Sequence, residues 1–189
     1  MNPATVASAL RRSSTPCVRF AITCLAAVAL YKGYLRTGGV LILLGGLCDS
    51  LDGNLARATG TANRSGALLD SVIDRYSEFV MFLGIAAYFI RMKNFSILVL
   101  VFIALCGSIM VSYTRARAES LGFESKAGLM QRAERIVFLG SGALFHPVAF
   151  KISIWLVAIL ANITALQRLR ISYQQNKTKT DQEQIVPKT

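Results

Sequence analysis

The length of the apolar runs is what most constrains this chain. Six predominantly apolar blocks lie at about residues 17–35, 38–55, 66–90, 95–113, 135–145 and 152–169. Spanning a bilayer takes about 20 such residues in a helix. A soluble helix bundle hides its apolar residues in stripes, whereas here they fill whole segments, and the chain is 53% hydrophobic with mean hydropathy +0.48. The expected fold class is therefore all-α, an integral membrane bundle of six transmembrane helices. The weakly amphipathic start, ending in Arg11 and Arg12, is expected to form a short N-terminal interfacial helix, with no cleavable signal peptide. Residues 1–173 read as one membrane domain, and the polar tail 174–189 as disordered.

Basic residues set the orientation. The chain has 21 Lys and Arg against 10 Asp and Glu, a net charge of +11. With the N-terminus in the cytoplasm, the outer side receives Lys32, Arg36, Arg91, Lys93 and Lys151, and all the other basic residues fall inside. That asymmetry is the one expected of a multi-pass protein of the cell membrane. A nucleic-acid partner is not expected, because no basic residues are interleaved with aromatics on a polar surface. Cys17, Cys24, Cys48 and Cys106 form no Cys-x-x-Cys pair and read as small buried hydrophobes. Gly45-Gly46 and Gly140-Ser-Gly142 read as sites of close helix packing. Trp155, Tyr31, Tyr34, Tyr88 and Tyr173 read as interfacial belt residues, and His146 as structural.

Against this oily background stands Asp49-Ser-Leu-Asp52-Gly53-Asn-Leu-Ala56-Arg57, followed by Gly66-Ala-Leu-Leu-Asp70-Ser-Val-Ile-Asp74. Acids near membrane depth are costly and mark function. Spacings of three and four put each aspartate pair on one helix face. The second and third spans are joined by a short loop and are expected to be antiparallel neighbours, so their facing ends gather four carboxylates. Such anions repel strongly at low dielectric unless protons or cations neutralise them. Hard oxygen donors select Mg²⁺, Mn²⁺ or Ca²⁺ over zinc. Gly53, Ala56 and Gly66 leave room for a close ligand, and Arg57 suits a phosphate.

These residues fill every fixed position of Asp-x-x-Asp-Gly-x-x-Ala-Arg, eight residues, Gly-x-x-x-Asp-x-x-x-Asp. The chain thereby resembles the CDP-alcohol phosphatidyltransferases, and its six-span layout is similar to theirs. The resemblance implies transfer of a phosphatidyl group from CDP-diacylglycerol, or a related CDP-alcohol, with release of CMP. It implies two metal ions, Mg²⁺ or Mn²⁺, on Asp49, Asp52, Asp70 and Asp74, with Asp74 also the catalytic base. It implies a CMP pocket of Gly53, Ala56, Arg57, Asn63 and Gly66, and a homodimer. One departure concerns the first span, where the family's Pro-Asn-x-x-Thr type run is replaced by Arg12-Ser13-Ser14-Thr15-Pro16.

The stretches Arg115-Ala-Arg117-Ala-Glu119 and Gln131-Arg132-Ala-Glu134-Arg135 lie between the fourth and fifth spans, with Lys126 between them. Arg132 and Arg135 share a helix face, and with Lys126 and Arg115 they form a candidate site for the phosphate of a phosphorylated acceptor. Glu119 and Glu134 are expected to pair with nearby arginines. The stretches resemble the phosphatidylinositol phosphate synthase branch, which implies inositol 1-phosphate as acceptor. Glycerol 3-phosphate, the acceptor of phosphatidylglycerophosphate synthases, is the alternative. Outside enzymes, a cation carrier is the competing reading, but it would spread its acids along the membrane depth instead of clustering them at one face.

Overall fold

The computed structural model describes the backbone of residues 3–58, 64–123 and 128–185, and the side chains of 16–48, 66–123 and 128–175. These residues form six helices: α1 (Pro3–Tyr31), α2 (Leu35–Ala58), α3 (Arg64–Arg91), α4 (Phe95–Ser120), α5 (Arg132–Phe145) and α6 (Pro147–Ile185). No strand occurs among the described residues.

Three helices stop in the same way. Gly33 (φ 90°), Lys93 (φ 53°) and Gly122 (φ 75°) take up left-handed conformations just past α1, α3 and α4. The next residue turns its N–H back five positions: Tyr34 to Ala29, Asn94 to Phe89 and Phe123 to Ala118. This closure satisfies the last carbonyls of a helix and reverses the chain. Asn94 then starts α4, its side chain accepting from Ile97 N–H at 3.3 Å. Between α5 and α6 the break is His146-Pro147, where His146 Nδ1 accepts from Val148 N–H at 3.2 Å. His146 is thus a capping residue.

The helices pack as a closed ring in the order α1, α2, α5, α6, α4, α3 and back to α1. Phe82, Ile85, Phe89, Leu139, Phe150, Ile154 and Val157 fill its core, with the rings of Tyr88, Phe89 and Phe150 in contact. Small residues draw the helices together. A Cβ on Gly84 of α3 would lie 2.5 Å from Ala27 Cα of α1, and one on Gly39 of α2 would lie 2.7 Å from Gly140 O of α5. Gly46 and Gly140 of the expected packing sites are equally tight, against Ile136 and Leu43, while Gly45 has ordinary contacts only.

The ring's outside is apolar, with Leu25, Leu44, Leu83, Phe102, Ile152 and Leu166 exposed, as lipid-facing residues are. Helix α4 and residues 147–175 of α6 are long and apolar enough to cross a membrane by length and composition. Pro16–Tyr31 and Leu35–Cys48 are shorter apolar stretches.

Five expectations are corrected. The separate interfacial helix is absent, since α1 runs unbroken from Pro3 through Pro16 to Tyr31. The polar tail is helical as far as Ile185, because no glycine or proline lies between Pro147 and Pro187 to interrupt propagation. Tyr88 is a core residue, not a belt residue. The four cysteines are not buried, and Cys17 and Cys106 are exposed on the apolar exterior. Helices α2 and α3 are not simple neighbours, because α1 packs against both.

Candidate active site

Asp70 and Asp74 stand one turn apart near the start of α3 and face α1. Arg19 of α1, itself buried, donates from Nη2 to Asp70 Oδ1, and its Nη1 lies 3.7 Å from Asp74 Oδ1. Asp74 Oδ2 pairs with Arg132 at the start of α5 and lies 3.9 Å from Arg75 Nη1. The Asp74 side chain is 16% exposed and that of Asp70 47%. One turn further along α3, Glu78 Oε1 accepts from Arg135 Nε at 3.0 Å and from Nη2 at 2.7 Å. Glu78 and Arg135 are both buried.

These groups border an open cleft inside the ring. Arg19, Asp74 and Arg132 supply its charged wall, Thr23, Ser77 and Glu78 a polar one, and Ile42, Met81 and Ile136 an apolar one. Gly45 and Gly46 of α2 complete it.

Other candidates fall in different places. The backbone of α2 carries Asp49, Asp52, Gly53, Ala56 and Arg57 in its last turns, but their side chains lie outside the described residues, as do all of Asn63 and Lys126. Gly66 lies in the first turn of α3, and a Cβ there would meet nothing within 4 Å. Arg115 pairs with Glu119 at 2.9 Å on the exposed surface of α4. Glu134 accepts from the Gln131 N–H at the start of α5, and among the described residues it pairs with no arginine. The structure departs from expectation at Arg135, which is enclosed and bound to Glu78 rather than presented to an open anion site.

Three residues carry roles that the motifs did not signal. Arg19 was visible only as a basic residue inside an apolar run, and Glu78 only as one more acid at helical spacing from Asp74. Arg168 of α6, also buried, donates from Nη1 to Val111 O at 2.8 Å and lies within electrostatic range of Arg115 and Arg135. Beside it the chain before α5 docks onto α6 through the Met130 N–H, which donates to Thr164 Oγ1 at 3.0 Å. Gly128 permits that approach, with φ 156° and its hypothetical Cβ 2.6 Å from Thr164 Cγ2.

The described carboxylates suit a hard cation. The Arg19 guanidinium reaches both Asp70 and Asp74, so positive charge between them meets two oxygen donors. Among the described residues no three metal-binding side chains gather; the remaining candidate donors, Asp49 and Asp52, are outside the described side chains.

A family model for CDP-alcohol phosphatidyltransferases matches residues 5–167. The chain belongs to that family. It is therefore a transferase enzyme of phospholipid synthesis. Archaetidylinositol phosphate synthase of Pyrococcus horikoshii is 41% identical over 153 residues, covering 80% of this chain and 78% of the relative. The crystal structure of Mycobacterium tuberculosis phosphatidylinositol phosphate synthase with CDP-DAG bound superimposes with TM-score 0.78 at 30% identity, covering 86% of each chain. The same mycobacterial enzyme in complex with manganese and citrate gives TM-score 0.76 at 30% identity, covering 86% of this chain and 82% of the other.

Proposed function

We propose that this CDP-alcohol phosphatidyltransferase moves a phosphatidyl group from CDP-diacylglycerol to inositol 1-phosphate, releasing CMP. The observation that carries the reading is the meeting of Asp74, the expected base, with Arg132, an expected acceptor-phosphate residue, in one cleft. Relatives in two domains of life whose names share inositol phosphate support the acceptor, and the mycobacterial structure with CDP-DAG supports the donor.

Asp49, Asp52, Asp70 and Asp74 would hold two Mg²⁺ ions, or Mn²⁺, as the manganese complex of the mycobacterial enzyme suggests. Bound there, the ions supply positive charge for the diphosphate oxygens during in-line displacement. The acceptor hydroxyl oxygen bonds to the β-phosphorus as the bond from that phosphorus to the bridging oxygen breaks. CMP leaves with that electron pair, and Asp74 takes the hydroxyl proton. Gly53, Ala56, Arg57, Asn63 and Gly66 would line the CMP pocket, with Arg57 against phosphate. Arg132, Lys126 and Arg115 would meet the acceptor phosphate. The Arg115–Glu119 pair is exposed and weak, so a dianion can displace it.

All six helices would cross the cell membrane, with the site facing the cytoplasm and the protein a homodimer. The lipid donor then enters sideways from the bilayer and the polar acceptor from water, without the acyl chains leaving lipid.

The test is CMP release by purified protein with Mg²⁺, CDP-diacylglycerol and a panel of alcohols. Inositol 1-phosphate should be used best. Preference for glycerol 3-phosphate would reassign the acceptor, and turnover of only a water-soluble CDP-alcohol would reassign the donor.

A further inference from the structure

We infer that Glu78 and Arg135 form a positioning strut that sets Arg132 against Asp74, an inference resting on the acceptor role proposed for Arg132. Helices α3 and α5 lie opposite each other in the ring and do not pack along one another. Two ion pairs bridge them, Asp74–Arg132 at the cleft and Glu78–Arg135 one turn further along both helices. The α3 residues are four apart and the α5 residues three apart, a rise of about 6 Å and 4.5 Å. The rungs advance in the same direction along both helices, so α3 and α5 run parallel and the second rung fixes their register.

The strut is built for position. Glu78 is 5% exposed and Arg135 fully buried, yet Glu78 Oε2 and Arg135 Nη1 find no hydrogen-bond partner among the described residues. A buried pair with unsatisfied atoms contributes little net stability compared with apolar side chains of similar volume. What such a pair does supply is a fixed separation, here across a cleft that no direct helix packing spans. Without it, among the ion pairs of the described residues, the start of α5 is tied to α3 through Arg132 alone. A misplacement of about 1 Å is enough to cost 100-fold in a reaction that depends on alignment.

The test uses the full-length protein and the variants E78L/R135L, E78D and R132Q. The double variant replaces the charges with apolar volume and should melt no lower than wild type. Its KM for inositol 1-phosphate should rise at least ten-fold, with KM for CDP-diacylglycerol within two-fold. Inorganic phosphate binding, measured calorimetrically with Mn²⁺ present, should weaken to the level of R132Q. E78D, which keeps the charges but shortens the reach, should fall between. Unchanged acceptor KM in a folded double variant would overturn the inference, as would a lowered melting point with both KM values unchanged. Should the double variant not fold, E78D decides: an acceptor KM equal to wild type overturns the strut. Failure of the functional reading looks different. Wild type would then release no CMP while still binding phosphate through Arg132, and the strut would be judged on whether E78L/R135L loses that binding.

Discussion

At the scale of single residues, charge pairing governs the site. Glu78→Gln removes one partner of a buried pair and leaves Arg135 charged and enclosed, so the variant should lose about 3–5 kcal/mol of stability, read from unfolding in detergent. E78L/R135L should not. Arg19 presents the mirror case. Its guanidinium sits against Asp70 and Asp74, where positive charge competes with any divalent ion the two carboxylates take up. Arg19→Gln should therefore tighten Mn²⁺ binding, on the order of ten-fold, by electron paramagnetic resonance titration. A weakened Mn²⁺ affinity would mean that Arg19 shapes the carboxylates more than it competes for them. The sequence made Asp70 and Asp74 legible, because a spacing of four is a local property of one helix. It also put Arg132 and Arg135 on one face. It did not show that one of them reaches the cleft and the other is enclosed by Glu78, since partners 57 residues apart meet only through the tertiary fold. Arg19 was hidden for the same reason: it joins the site only because α1 lies beside both α2 and α3.

At the scale of elements, two glycines of α3 make opposite demands. Gly84 touches Ala27 so closely that an added methyl meets backbone, and α1 would have to move. Gly84→Ala should cost roughly 1–3 kcal/mol, as overpacking does. It should also pull Arg19 away from Asp70, since Arg19 and Ala27 share α1. Gly66 meets nothing within 4 Å and is helical. Gly66→Ala should leave the melting point unchanged or slightly raised, by about 0.5–1 kcal/mol in stability. If Gly66 makes room for the donor, the same variant raises KM for CDP-diacylglycerol and spares that for the acceptor. Equal KM values in variant and wild type would remove Gly66 from the CMP pocket. The element boundaries followed legible signals where glycine or proline punctuates the chain, as at Gly33, Gly122 and Pro147. They were misread in two places: no punctuation stops α6 at residue 173, and the proline at position 16 leaves α1 unbroken.

At the scale of the whole molecule, the two ends of the ring differ. One end has three tight reversals, at Gly33, Lys93 and His146-Pro147. The other holds the longer connections after α2 and α4, together with Asp70, Asp74 and Arg132. Basic residues follow the same division, with five of the 21 near the end of the tight reversals. In the orientation proposed above, positive charge retained in the cytoplasm would put the site inside, on the side of a phosphorylated polyol and a nucleotide product. Impermeant maleimide labelling of intact cells tests this, with the four native cysteines replaced and single cysteines placed at Lys93 or at Leu121. Lys93→Cys should label from outside, and Leu121→Cys only after permeabilisation. The reverse pattern would turn the cleft outward, away from the cytoplasmic pool of CDP-linked donors, and would refute the orientation without touching the fold. A ring whose charged interior opens at one end and whose sides are apolar reconciles the two solvents of the substrates, because lipid meets the flank of the helices while water meets their tips.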